Sequence, residues 1–157
     1  MTDEERYLFD LNGYLVVRGA LAADELDALD AALERVDVWA EAARRPQTVH
    51  NNALKTHLGP VRDWGPEFLA LAAHPVVLGY LRELLGPGLR LDHEYAIYMR
   101  EGADGLPMHG GGTPYDPAQY YHYRDGRLHN GLTVVALSLG EVAAGDGGFC
   151  CVPGSHK

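Results

Sequence analysis

The chain has 157 residues, of which 46% are hydrophobic and 22% charged, and its formal net charge is −9 at pH 7. This length and apolar content suit one domain with a hydrophobic core and exclude a disordered chain. The acidic balance excludes a basic nucleic-acid surface, no apolar run predicts a membrane span, and the acidic N-terminus does not resemble a signal peptide, which together predict a cytoplasmic protein.

The first half of the chain is predicted to be mostly helical. Thr2 and Glu5 have the spacing of a capping box, which begins a helix that runs to about Leu11. Apolar residues at helical spacing and prolines that can begin helices predict three more helices. These three lie at about 24–38, 66–73 and 75–85. A short strand is predicted between the first two helices, over 13–21, and residues 42–65 are predicted to be irregular.

The second half changes to strand-like segments. Three strands are predicted, at 89–100, 131–139 and 149–152, and Asp125-Gly126 is typical of a tight hairpin turn. Helices followed by antiparallel strands predict an α+β or mainly β fold. We expect a single domain over 1–157, with residues 1–88 mostly helical and 89–157 forming strands.

The two cysteines, Cys150 and Cys151, are adjacent in the last predicted strand. Neighbouring residues of a strand point to opposite faces, so we expect no disulfide between them and no shared metal. Burial as small apolar residues is the preferred interpretation.

One histidine stands out in PMHGGGTPYD, residues 107–116. His109 follows a predicted strand and precedes three glycines, where the backbone can approach a ligand closely. A second motif, GDGGFCCVPGSHK at 145–157, places a glycine-rich turn, a short strand and a Pro-Gly turn in sequence. By residue chemistry alone, this second motif indicates only turns.

Together these segments resemble the phytanoyl-CoA dioxygenase family of iron(II)/2-oxoglutarate oxygenases. The resemblance rests on FDLNGYLVVRGALAADELDAL (9–29), IYMREG with MHGGG, LTVVALSLGEVAAGDGG and PGSHK. It implies a partial double-stranded β-helix, or jelly roll, with N-terminal helices packed outside. The implied activity is hydroxylation of a small organic substrate, in which 2-oxoglutarate is decarboxylated and a hydrogen is abstracted from carbon.

The resemblance also implies site residues. His109 matches the first histidine that holds Fe(II), whereas Gly111 occupies the position of the usual metal-binding aspartate. Tyr95, on the strand before this loop, is expected to contact 2-oxoglutarate, and alternation along that strand predicts that Tyr95, Ile97 and Met99 share one face. His156 does not match the second iron-binding histidine; that histidine and a cosubstrate-binding arginine are expected beyond Lys157. We therefore expect the chain to be the N-terminal part of a longer protein and to be inactive alone.

Three interpretations of Gly111 remain open. Iron can be held by two histidines with water or another carboxylate in the gap; chloride can occupy the gap, as in halogenating relatives; or the site has decayed into a non-catalytic binding module. Asp116, His122 and His129 are near in sequence, but their interpretation as loop or strand residues is preferred.

A group of tyrosines, at 115, 120, 121 and 123, suits a substrate pocket and ordinary strand packing equally well. The oligomeric state cannot be read from the sequence.

Overall fold

The computed structural model describes residues 1–45, 50–110 and 117–157. The helices are α1 Asp3–Asn12, α2 Ala23–Leu33, α3 Val38–Ala43, α4 Pro66–Leu71 and α5 Pro75–Leu85, and a 3-10 turn spans Val61–Trp64. The strands are β1 Lys55–Leu58, β2 Ala96–Met99, β3 Tyr121–Arg124 and β4 Arg127–Asn130. The described strands pair as two small antiparallel sheets, β1–β2 and β3–β4. The fold is therefore mixed helix and sheet, and a complete jelly roll is not formed by these residues.

Helix α1 has the termini that the sequence predicts. The Thr2 hydroxyl accepts a hydrogen bond from the Glu5 N–H at 3.1 Å, and the Glu5 carboxylate accepts one from the Thr2 N–H at 2.7 Å. At the other end, Gly13 has φ of 80° and donates its N–H to the Phe9 carbonyl at 2.8 Å. A left-handed conformation suits glycine, so Gly13 ends the helix close to the predicted end at Leu11.

The helix predicted over 24–38 is two helices. Helix α2 ends at Leu33, and α3 begins at Val38 after Asp37, whose side chain accepts a hydrogen bond from the Ala40 N–H at 2.9 Å. Such a cap satisfies a backbone donor at a new helix start, which allows the chain to change direction. The two helices then contribute to separate buried clusters. These are Leu29, Ala32 and Phe68 in one, and Val38, Ala42 and Leu58 in the other, with Trp64 packed against both.

Helices α4 and α5 confirm the predictions made from Pro66 and Pro75, which lie in their first turns. The stretch Pro66–Leu85 is, by length and composition, apolar enough to cross a membrane, with a mean hydropathy of 1.4. Its backbone nevertheless runs as two helices separated by residues 72–74. Helix α4 contacts α2, and α5 contacts β4.

The β3–β4 hairpin turns at the predicted Asp125-Gly126 pair. Both turn residues have positive φ, 53° and 75°, which is the conformation of the tight hairpin turn that Asp-Gly favours. One face of the hairpin is fastened to the helices: Tyr121 donates its hydroxyl to Asp10 of α1, and Asn130 donates its amide to the Leu84 carbonyl at 2.9 Å.

Four strand predictions need correction. Residues 13–21, 131–139 and 149–152 form no strand, and the strand predicted over 89–100 is limited to Ala96–Met99. A strand requires a neighbouring ladder for its N–H and C=O groups, and apolar alternation alone does not supply one. The unpaired segments leave large apolar side chains exposed, including Val16 (70%), Val134 (68%) and Phe149 (71%).

The cysteine prediction is confirmed in one respect and wrong in another. Cys150 and Cys151 are free thiols, as expected, but both are exposed rather than buried. The reason is the missing strand at 149–152: without a paired strand, neither side chain is directed into a core.

Candidate active site

The β1–β2 sheet has two unlike faces. The register pairs Lys55 with Met99 and His57 with Ile97, so these four side chains share one face. Tyr95, just before β2, continues the same alternation, as the sequence predicts, and is 48% exposed. On the opposite face, Leu58 and Tyr98 pack into the helix core. We call the side with Lys55, His57, Tyr95, Ile97 and Met99 the open face.

Aromatic rings form a column along the open face. His57 stacks on Tyr95, with ring centroids 5.3 Å apart and planes within 8°. His50 stacks on His57 at 5.1 Å, and His93 stacks on Tyr95 at 5.7 Å. Tyr95 is therefore held between two imidazoles, which fixes the orientation of its ring.

His57 is the most enclosed ring of this column. Its Nε2 is buried and has no hydrogen-bond partner among the described residues. Burial lowers the pKa of His57, and the nearby charges of His50 and Lys55 lower it further. The folded protein thus holds a neutral imidazole with one uncommitted nitrogen on the open face.

Replacement of His57 with phenylalanine is expected to weaken the dependence of stability on pH. In the wild type, the folded-state pKa of His57 lies below its usual value of about 6.5, so the unfolded chain binds this proton first as the pH falls. The free energy of unfolding contributed by neutral His57 is therefore complete above about pH 7 and is lost as the pH falls through about 6.5 towards the folded-state pKa. Phenylalanine keeps a ring in the column but cannot titrate. Urea unfolding between about pH 5 and 8 measures the difference, and an unchanged slope would contradict it.

Lys55 ties the open face to the loop that carries His109. Its side chain is buried, with 5% exposed, and its ammonium donates to the Asp104 carbonyl at 2.9 Å. The Arg100 N–H also donates to the Leu54 carbonyl at 2.8 Å. These bonds fasten the beginning of the 101–110 loop to β1.

His109 itself is exposed, and its Nδ1 lies 2.9 Å from the Pro107 carbonyl oxygen. A carbonyl can only accept, so Nδ1 must donate its proton in this bond. In the neutral ring, Nε2 is then left with its lone pair. Metal-binding histidines commonly use this arrangement, in which a carbonyl orients the ring through the nitrogen that does not bind the metal.

Comparison with known proteins identifies the family. The model of the family described as Phytanoyl-CoA dioxygenase (PhyH) matches residues 9–157. The chain belongs to the phytanoyl-CoA dioxygenase family. None of the curated proteins compared with the chain matches it.

Among solved structures, this family member is similar to HygX from Streptomyces hygroscopicus. The crystal structure of HygX with nickel and 2-oxoglutarate bound is 26% identical, with a TM-score of 0.63 over 83% of this chain and 51% of HygX. The HygX structure that also contains hygromycin B aligns at 20% identity, with a TM-score of 0.62 over 83% of this chain and 51% of HygX. The chain thus spans about half the length of HygX.

The described residues of this family member do not form a complete metal site. They contain no group of three or more His, Cys, Asp and Glu side chains placed to hold one ion. Gly111 and Asp116 lie outside the described residues, as does Tyr115. Within the described part of the chain, His109 therefore belongs to no such group.

The PGSHK element has a structural role at the end of α1. The His156 Nε2 lies 2.9 Å from the Asp10 carbonyl, Lys157 forms an ion pair with the Asp10 carboxylate at 3.1 Å, and the Gly154 N–H donates to the Asn12 carbonyl at 2.9 Å. Tyr121 packs edge-on against His156 at 4.5 Å. We call these contacts the PGSHK clasp. The hydrogen bond that the Tyr121 hydroxyl donates to the Asp10 carboxylate is the main cause of the lowered pKa of Asp10.

The tyrosines divide between packing and surface. Tyr121 belongs to the clasp, whereas Tyr120 and Tyr123 line a cleft of about 860 Å³ between α1, the end of α5 and the hairpin. Tyr7 of α1 lines the same cleft. Of the residues that form the open face, the sequence indicated Tyr95, Ile97 and Met99 but not Lys55 or His57, because β1 itself was predicted to be irregular.

Proposed function

We propose that the protein is an iron(II)/2-oxoglutarate-dependent oxygenase that hydroxylates a small organic substrate in the cytoplasm. The observation that carries this proposal is the orientation of His109. Its Nδ1 is engaged by the Pro107 carbonyl, which leaves Nε2 for a metal, in a loop anchored to the open face by Lys55. Membership of the family and the iron and 2-oxoglutarate bound by HygX support the same activity.

In this proposal, His109 holds iron and the open face receives 2-oxoglutarate. Iron with 2-oxoglutarate and oxygen would supply the oxidising chemistry, and the protein would supply binding and orientation. The cosubstrate is a dianion, so the positive charge of Lys55 favours its approach. Neutral His57 stacks on Tyr95, and the partly exposed Tyr95 ring, fixed in the column, forms a wall of the open face.

The substrate is proposed only as a small organic molecule. HygX has been crystallised with hygromycin B, a small molecule, but that structure is 20% identical and supports the fold alone. An acyl-CoA substrate does not follow from the family name. Hydroxylation is proposed first, and halogenation is kept as the alternative that the product of the reaction distinguishes.

The test is an anaerobic titration of the protein with Fe(II), with and without 2-oxoglutarate. We expect 2-oxoglutarate to tighten iron binding, because 2-oxoglutarate would chelate the iron in the same site and the coupling must be reciprocal. His109→Ala should remove this coupling and weaken iron binding about tenfold or more, equivalent to about 1.4 kcal/mol. Arg90→Ala is the control, since the Arg90 side chain is 88% exposed and lies outside the proposed site.

Two other results would overturn the proposal. Iron binding that is unaffected by 2-oxoglutarate and by His109→Ala would identify the protein as a non-catalytic binding module. A chlorinated product in place of a hydroxylated one, formed by the whole protein with Fe(II), 2-oxoglutarate and chloride, would identify a halogenase.

A further inference from the structure

We propose that His122 and His129 form a second metal site, distinct from His109, that chelates a transition-metal ion such as Cu²⁺ across the β3–β4 hairpin. The two residues are direct cross-strand partners. Their rings stack with centroids 4.7 Å apart and planes within 14°, and both residues are exposed. The exposed pair is open to an ion from solvent without any movement of the core.

The spacing of the pair suits chelation. Imidazole nitrogens bind first-row metals at about 2.0–2.1 Å, so two nitrogens on one ion are separated by roughly 3–4 Å. Rings whose centroids are 4.7 Å apart reach that separation when the two side chains rotate so that their nitrogens converge. The backbone pairing also favours chelation, because directly opposed residues of an antiparallel pair have neighbouring Cβ atoms on the same face.

The hairpin holds the pair in place before any metal arrives. The Asp125-Gly126 turn fixes the strand register. On the other face, Tyr121 is bonded to Asp10, and Asn130 to the Leu84 carbonyl. Tyr120 packs against His122, with ring centroids 5.9 Å apart. A chelator held in this way loses little conformational freedom on binding.

The surroundings select the class of metal. Arg124 and Arg127 are the next cross-strand pair along the same face, and neither strand carries a carboxylate to supply the oxygen ligands that Mg²⁺ and Ca²⁺ require. Neutral nitrogen donors instead favour Cu²⁺, Ni²⁺ and Zn²⁺, with Cu²⁺ the strongest binder in this series. The other stacked histidine pair, His50 and His57, is less suited, because Nε2 of His57 is buried.

Copper(II) binding to a Cys150→Ser/Cys151→Ser protein tests the site. The serine pair removes the two exposed thiols, which would otherwise reduce or bind copper. We expect one high-affinity Cu²⁺ per chain by calorimetry, two nitrogen ligands by electron paramagnetic resonance, and a higher Tm with copper, since only the folded hairpin presents the pair. His122→Gln and His129→Gln should each weaken binding about tenfold or more.

The matched control is His109→Gln in the same background, which should keep the tight copper site. Because both hairpin histidines are exposed, we expect each variant to remain folded, and far-UV circular dichroism checks this. Copper binding that survives His122→Gln and His129→Gln, or that is lost in His109→Gln, would overturn the proposal. Because copper binding is measured without 2-oxoglutarate, the hairpin site can be disproved while the proposed oxygenase function stands. The oxygenase function can likewise be disproved while the hairpin site stands.

Discussion

Replacement of Gly13 with alanine is expected to lower the free energy of unfolding by about 2–4 kcal/mol. Gly13 has φ of 80°, a left-handed conformation that costs a residue with a Cβ about 1–2 kcal/mol. The added Cβ would lie 2.4 Å from His156 Nδ1, so the PGSHK clasp would have to move. Loss of the His156 bond to the Asp10 carbonyl and of its ring contact with Tyr121 adds about 1–2 kcal/mol. Urea denaturation measures the total.

Gly19→Ala separates the two causes. Gly19 also has positive φ, 65°, but a Cβ there would meet nothing within 4 Å. Its replacement should therefore show only the backbone cost. In a His156→Ala background, Gly13→Ala should cost only the backbone part, because the His156 contacts are already absent and the two changes are directly coupled. Equal losses in Gly13→Ala and Gly19→Ala would contradict a structural role for the clasp.

Local signals in the sequence predicted local structure well. The capping box at Thr2 and Glu5, the prolines that open α4 and α5, and the Asp125-Gly126 turn each act within a few residues, and each is found where expected. The break between α2 and α3 is also local in origin, since Asp37 caps the new helix. It was missed because apolar spacing continues through it.

Strand pairing was much less predictable, because it depends on partners distant in sequence. Residues 131–139 have the composition of a strand but no ladder, whereas the KTHL segment has little strand character and forms β1 by pairing with β2 about 40 residues later. Thr56 and Leu58 lie on the face that packs against the helices, while Lys55 and His57 lie on the opposite face, so β1 has no simple alternation of polar and apolar residues.

The candidate site shows the same division. Alternation along one strand predicted that Tyr95, Ile97 and Met99 share a face, and the position of His109 in a loop after this strand was read from the sequence. The ring column was not predictable, because it requires the register that brings His57 beside Tyr95. The role of His156 at the end of α1 likewise joins residues 146 positions apart.

Gly111→Asp is expected to raise the affinity for iron(II) about tenfold or more, because glycine has no side-chain ligand and aspartate would add a carboxylate two residues from His109. Because Gly111 occupies the position of the metal-binding aspartate in the family pattern, we expect the new carboxylate to join His109 on the ion. Anaerobic Fe(II) titration measures the gain. Adding His109→Ala should abolish it, since a carboxylate alone is a weak site.

Gly112→Asp is the matched control for Gly111→Asp, because it adds the same charge one position beyond the one that matches the metal-binding aspartate of the family. Equal gains from the two variants would indicate general attraction of the cation rather than ligation.

The product formed by the whole protein then decides what the glycine is for. If a halogenated product of the parent becomes a hydroxylated one in Gly111→Asp, glycine makes room for a halide on the metal; if the parent already hydroxylates, water or another protein ligand occupies that position. Iron binding by neither parent nor variant would exclude His109 as a ligand.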